Sequence, residues 1–482
     1  MIFNSIDFLL FFPAVYLIYL KLPHRGQNFF LLAASYFFYG YWDYRFLSLL
    51  IISTIVDYSA SLGIKRSESP GRKKLFLFFS IFSNLSILGF FKYFNFFTGT
   101  AAALLKTVGL QPNLPVLNII LPLGISFYTF QTMSYTVDVY RGQLEPADDF
   151  WDFALFVTFF PQLVAGPIER ATNLLPQVLK ERTIVFQELQ NGAFLILFGF
   201  FKKLFIADNL AMIVDPIFDP IEKGTLNFGE AGPPNSPTVL FGTVAFTIQI
   251  YCDFAGYSDI ARGISKFMGF ELMRNFNTPL LAQNINDFWR RWHISFMSWL
   301  RDYVYFSIGS KNDPEWRKNA NNLFTYFLSG LWHGASWTFA IWGLVNGICS
   351  VLYKLTLPLW PKSRGDHYKI ISISKKIIKA LFTLVLISAP TIYFRSQSFD
   401  LALLHSKSLF TNFGLLDAKL FEKVFRNIAL LLLIEIYQNS TEDEYAVFRL
   451  PVAVRSVLYV VMFYAVTVLG NFNKNAFIYF VF

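Results

Sequence analysis

Residues 323–352 read LFTYFLSGLWHGASWTFAIWGLVNGICSVL, a stretch with no Asp, Glu, Lys or Arg and one histidine, in Trp332-His333-Gly334. A bilayer core about 30 Å thick needs about 20 such residues in a helix, so this stretch reads as lipid-embedded. An imidazole is costly to bury there, and it is the side chain that titrates near neutrality unaided. Upstream, His293 ends the crowded run Asp287-Phe-Trp-Arg290-Arg291-Trp-His293. Of the five histidines in the chain, these two stand in membrane-associated segments rich in Trp and Arg.

Composition points the same way. The 482 residues are 54% hydrophobic and 15% charged, with mean hydropathy +0.44. Soluble domains carry about 25% charged residues, so the expected class is all-α, a polytopic integral membrane protein. The net charge of +9 falls mainly in loops. It is read as the positive-inside rule and attraction to anionic lipid, with no nucleic acid as partner. Cys252 and Cys349 lie in apolar segments and fit neither a disulfide framework nor a metal cluster.

Apolar segments recur at 5–20, 28–41, 45–63, 75–97, 116–137, 151–166, 191–213, 239–264, 281–305, 321–353, 378–394, 427–437 and 454–480. They predict about eleven membrane helices. Segments 151–166 and 281–305 carry Pro, Gly or charge and read as re-entrant or interfacial, which is tolerated only where protein or water surrounds the backbone. The opening residues lack a basic n-region and cleavage site, so 8–20 is expected to be a retained first helix. Lys65-Arg66 with Arg72-Lys73-Lys74, and Lys21, His24 and Arg25 before them, predict cytoplasmic turns and an extracytoplasmic N-terminus. Lys311, Arg317, Lys318 and the basic run 362–379 then fall inside, and the acidic loops 215–230 and Glu442-Asp-Glu444 outside. The piece 168–190 is amphipathic and suits a membrane surface. No polar stretch is long enough for a separate catalytic domain, so one domain over 1–482 is expected.

Four segments carry candidate chemistry. Around His333, Gly330 and Gly334 form a small-xxx-small pair that invites close helix approach. Either Trp332 and Trp337 are interface anchors and His333 hydrogen-bonds a neighbouring helix, or His333 is a general base held near a close-packed cavity. His293, with Arg290 and Arg291, is either a basic amphipathic element at headgroup level or the cationic rim of a donor site; Asp287 and Arg291 are spaced to pair on one helix face. Asp253 and Asp259 lie in a spanning segment, each at a cost on the order of 3 kcal/mol, and so must face partners or water. Arg262, Arg290 and Arg291 are the candidate counter-ions. Finally, Pro161 and Gly166-Pro167 break the helix pattern of Phe159–Arg170 and suit a re-entrant turn. Glu435 is apolar-flanked without an obvious partner. A phosphate loop, His-Glu-x-x-His, a Gly-x-Ser-x-Gly elbow and Cys-x-x-Cys are all missing from the sequence, which disfavours ATPase, metalloprotease and serine hydrolase chemistry.

Taken in order, Met1-Ile-Phe-Asn-Ser-Ile-Asp7, Phe160-Pro-Gln-Leu-Val-Ala-Gly-Pro-Ile-Glu-Arg170, Ile248-Gln-Ile-Tyr-Cys-Asp253-Phe-Ala-Gly-Tyr-Ser-Asp259, the run ending at His293 and Gly330-Leu-Trp332-His333-Gly334 resemble the membrane-bound O-acyltransferase family, in its bacterial alginate O-acetylation branch. The resemblance implies helices around a central funnel, a motif-bearing core at about 116–355 and C-terminal helices at about 378–480. It implies His333 as catalytic histidine, His293 as second polar position, and Arg290, Arg291, Trp332, Asp253 and Asp259 as substrate-binding residues. No metal and no tightly bound cofactor are implied; the acyl donor is acetyl-CoA or an acyl-carrier-protein thioester. A bacterial inner-membrane location, membrane lipids, a polysaccharide acceptor and periplasmic acetyltransferase- or esterase-like partner proteins are implied as well. The competing readings are a proton-relaying transporter or flippase, D-alanyl transfer to an envelope polymer, and a non-catalytic scaffold.

Overall fold

The computed structural model describes residues 1–164, 166–219, 221–222, 225–226, 234–357, 369–472 and 477–478. Among these the chain is helical except for one short antiparallel ladder pairing Ile221 with Leu226 and Glu222 with Thr225. Among the described residues four helical stretches are long and apolar enough to cross a membrane by length and composition: His24–Arg66, Pro70–Thr107, Ser236–Phe267 and Trp337–Thr356. In Pro70–Thr107 only 17% of the most apolar window is buried, with Phe78, Phe82 and Phe97 exposed. Water would not tolerate that surface; lipid does. The loop 215–238, the basic run 362–379 and the segment 454–480 fall partly outside the described residues.

The chain forms two compact units. The first comprises 1–196 and 258–274. Its polar centre is Asp57, fully buried on the helix Leu47–Arg66. Asp57 accepts from Ser80, from Asn84 Nδ2 at 2.8 Å and from Thr136 Oγ1 at 3.2 Å. One carboxylate thereby ties together the helices Leu47–Arg66, Pro70–Leu88 and Ile125–Tyr140. The expected break at Pro161 is present: helix Phe150–Thr158 ends, one turn Phe160–Leu163 follows, and Phe159, Phe160, Pro161 and Leu163 are all buried. Segment 116–137 is helical only from Ile125, because Pro122 and the left-handed Gly124 (φ 71°) stop the chain from continuing upstream. A Cβ at Gly124 would stand 2.6 Å from the Leu163 carbonyl, which makes glycine obligatory there. In the amphipathic piece, helix Ala171–Leu179 buries Leu174, Leu175 and Val178. Its lead-in Glu169 accepts from the Met273 N–H at 2.6 Å and from Asn173 at 2.8 Å.

The second unit comprises 197–257 and 275–482. Segment 281–305, expected to be interrupted, is a chain of short pieces: Ile285–Arg291, Ile294–Trp299 and a π-helical turn Leu300–Tyr305. Segment 321–353, expected as one apolar stretch, is instead a hairpin of Glu315–His333 and Trp337–Thr356. Gly334 leaves the helix in extended conformation, and the Ser336 hydroxyl accepts the Thr338 N–H to cap the next one. The glycine pairing differs accordingly. A Cβ at Gly330 would strike the Phe339 carbonyl, and one at Gly343 the Tyr326 carbonyl. The close approach is Gly330 against Gly343 across the hairpin, because Gly334 lies beyond the helix end.

Candidate active site

The hairpin turn delivers His333 as the last residue of its helix, buried at 4% exposure. Aromatic rings surround it, among them Trp332 with its centroid at 5.0 Å, Trp342 at 5.1 Å and Phe394 at 5.3 Å. His293 caps the helix Ile294–Trp299 from a left-handed backbone, φ 43° and ψ 52°, and is 1% exposed. A non-glycine residue pays about 1–2 kcal/mol for that conformation. The strain is held by the Ile294 N–H donating to the Asn275 carbonyl at 2.8 Å and the Met297 N–H to the His293 carbonyl at 2.9 Å. Strained residues of this kind cluster at functional sites.

The two imidazoles contact the same aromatic pair. Phe296 and Trp332 stack at 4.2 Å; Phe296 lies 4.9 Å from His293 and 5.8 Å from His333, and Trp332 lies 5.7 Å from His293. Asn275 sets the His293 tautomer. Its Oδ1 sits 2.9 Å from His293 Nδ1 and accepts from the Ser295 hydroxyl at 3.0 Å. With that oxygen as acceptor, Nδ1 carries the proton and Nε2 presents its lone pair. Nε2 has no hydrogen-bond partner among the described residues.

Next to His333 is a chamber of about 20 Å³, lined mainly by Trp289, Trp292, Trp342, Ile387 and Phe394. It is apolar and has room for about one water. A second cavity of about 450 Å³ shares Phe394 with it but is polar, lined by Lys203, Asp208, Asp215, Asp219, Asp253 and Arg395 among others.

The remaining predicted residues are distributed as follows. Asp253 bonds Lys203 at 2.6 Å rather than any of the arginines considered, and Lys203 also holds Asp208 at 2.9 Å. Asp259, in the first unit, faces Arg262 at 3.6 Å, one of the counter-ions expected. Arg291 pairs with Asp287 at 2.9 Å as its spacing predicts, and donates to Asn439 at 2.7 Å and Thr278 at 3.1 Å. Arg290 is exposed. Glu435 accepts from the Tyr251 hydroxyl. Sequence reasoning missed Lys203, Asn275, Phe296 and Phe394. Lysines 202 and 203 inside the apolar segment 191–213 were a readable signal, since a buried cation requires a buried anion. Asn275 and Phe394 carry none.

A helical membrane protein with two buried imidazoles against one aromatic pair, one of them lining an apolar chamber, defines a class able to move a proton, and a group, within the membrane. The chain belongs to the membrane-bound O-acyltransferase family, whose model matches residues 36–395, and it is an acyltransferase. It is 37% identical over 408 residues to a protein named probable alginate O-acetylase AlgI of Azotobacter vinelandii, covering 83% of this chain and 76% of that one. It is 34% identical over 436 residues to the peptidoglycan O-acetyltransferase of Helicobacter pylori, covering 84% and 78%. To the teichoic acid D-alanyltransferase of Bacillus subtilis it is 30% identical over 258 residues, covering 50% and 61%.

Proposed function

We propose that this acyltransferase moves an acetyl group from a cytoplasmic thioester toward hydroxyls of an extracytoplasmic polysaccharide of the alginate type, with His333 as general base. The observation that carries this reading is that His333 and His293 both contact the Phe296–Trp332 stack, with His333 lining an apolar chamber. In the step, His333 takes the acceptor O–H proton and the oxygen attacks the thioester carbonyl. The C–S bond breaks, and the leaving thiolate recovers the proton as free thiol. His293, presenting Nε2, steadies the oxyanion or orients the donor; Trp332 walls the acyl group. Arg290, exposed, meets the phosphates of acetyl-CoA or a carrier-protein thioester, and Arg291 is held as rim by Asp287 and Asn439. Asp253, in the wall of the polar cavity, contributes as a substrate-side carboxylate.

The whole chain acts as one catalytic domain of about eleven membrane helices around a funnel, in a bacterial inner membrane with its N-terminus outside. Periplasmic acetyltransferase- or esterase-like proteins carry the acetyl group onward. No metal or tightly bound cofactor takes part. His333→Ala should abolish ester formation, a loss of at least about 100-fold, while the protein still inserts and extracts as a monodisperse species. Retained acetylation of the polymer would sink the assignment. Release of acetate or transfer of acetyl from acetyl-CoA by purified protein without any ion gradient separates this reading from a transporter.

A further inference from the structure

Phe394 is the one side chain named above that borders both cavities. On the His333 side it closes the small apolar chamber, its ring 5.3 Å from the imidazole and 5.1 Å from Trp342. On the other side it faces the polar cavity together with Phe339 at 4.8 Å and Phe246 at 6.1 Å. The chamber at about 20 Å³ holds no sugar or hydroxylated side chain, whereas the polar cavity at about 450 Å³ does. An acceptor hydroxyl coming from that cavity therefore meets a ring before it meets the base.

The polar cavity also carries charge. Lys203 is shared by Asp208 and Asp253, and Arg395 is shared by Asp215 and Asp219. Among the described residues the wall carries these two cations and four carboxylates, whose oxygens offer acceptors to hydroxyl protons. Ser336 and Thr338, three and five residues past His333, line the same cavity. It thus leads from polar surface to the end of the helix that carries the imidazole.

We infer that this cavity takes the acceptor as a polyhydroxyl group and that Phe394 is the side chain controlling its passage to His333. The inference rests on the acyl-transfer reading. Phe394 here determines specificity: while it stands in place the thioester is shielded from water, and it yields only when an acceptor fills the cavity behind it.

The partition is testable without any transfer reaction. With Cys252 and Cys349 replaced by alanine in purified protein in detergent, Ile387→Cys reports the chamber through its rate of modification by a small charged methanethiosulfonate reagent. Phe394→Ala should raise that rate at least roughly tenfold and Phe394→Trp should lower it. Equal rates in all three backgrounds would overturn the partition. Its functional side is read with acetyl-CoA as donor and cellotetraose as neutral acceptor. Phe394→Ala should raise the ratio of free acetate to sugar ester about tenfold, a readout that general destabilisation would not move. An unchanged ratio with normal chamber labelling would overturn the controlling role. If wild type and His333→Ala turn over acetyl-CoA alike, the acyl-transfer reading has failed and the labelling result stands on its own.

Discussion

An imidazole acts at a chosen nitrogen only when its other nitrogen is engaged, and at His293 one amide does this. Asn275 Oδ1 holds the Nδ1 proton at 2.9 Å and is itself held by Ser295 at 3.0 Å. Asn275→Leu removes that acceptor while keeping similar volume. Turnover should fall about two- to twelvefold, the worth of one hydrogen bond of about 0.5–1.5 kcal/mol, with KM for the donor little changed. Asn275→Asp, which still accepts, should recover most of the rate. A rise in KM together with the fall in turnover, unrescued by aspartate, would assign Asn275 to packing alone. The pairing was invisible in sequence because Asn275 and His293 meet only after the chain between them folds back, with the Asn277 N–H reaching the Arg291 carbonyl at 2.9 Å.

At the scale of elements, the hairpin Glu315–His333 and Trp337–Thr356 sets where His333 stops. Its two helices approach backbone to backbone at Gly330 and Gly343. Gly330→Ala pushes a methyl into the Phe339 carbonyl and should cost about 1–3 kcal/mol, seen as a lower melting temperature with activity lost in step. Gly99 is the control. It lies inside helix Phe94–Thr107 with nothing within 4 Å of its missing Cβ. Gly99→Ala should be neutral or stabilising by up to about 1 kcal/mol, through helix propensity. Equal melting temperatures for the two variants would refute the packing argument. The hairpin's apolar character was legible in residues 323–352; the turn was not. A His-Gly-Ala-Ser sequence can continue a membrane helix or end it, and the choice falls to Phe339, whose ring fills the space a Cβ at Gly334 would occupy.

Across the whole molecule, the family match ends at Arg395, yet the second unit draws on residues beyond it. Glu435 and Asn439, both on helix Ala418–Thr441, accept from Tyr251 and from Arg291. Sequence reading left Glu435 without a partner because Tyr251 lies 184 positions away. Glu435→Leu removes the acceptor of a buried tyrosine hydroxyl and should cost about 1–3 kcal/mol, measured as a drop in thermal unfolding midpoint in detergent. An unchanged midpoint would mean that Tyr251 finds an equivalent acceptor nearby. The two carboxylates of the spanning helix Ser236–Phe267 divide in the same way: the cost of burying them announced counter-ions, and folding chose Lys203 for one and Arg262 for the other.

By itself the sequence determined the solvent and the backbone. Long apolar runs cannot hydrogen-bond to lipid, so they must close their bonds within helices, and the ordered motifs around His293 and His333 identify the family. Only the tertiary structure decided which side chains meet. Asn275 with His293, Lys203 with Asp253, Glu435 with Tyr251, and Phe394 standing between two cavities are contacts made across sequence distance. No local periodicity encodes them, because each depends on how separately stable helices pack.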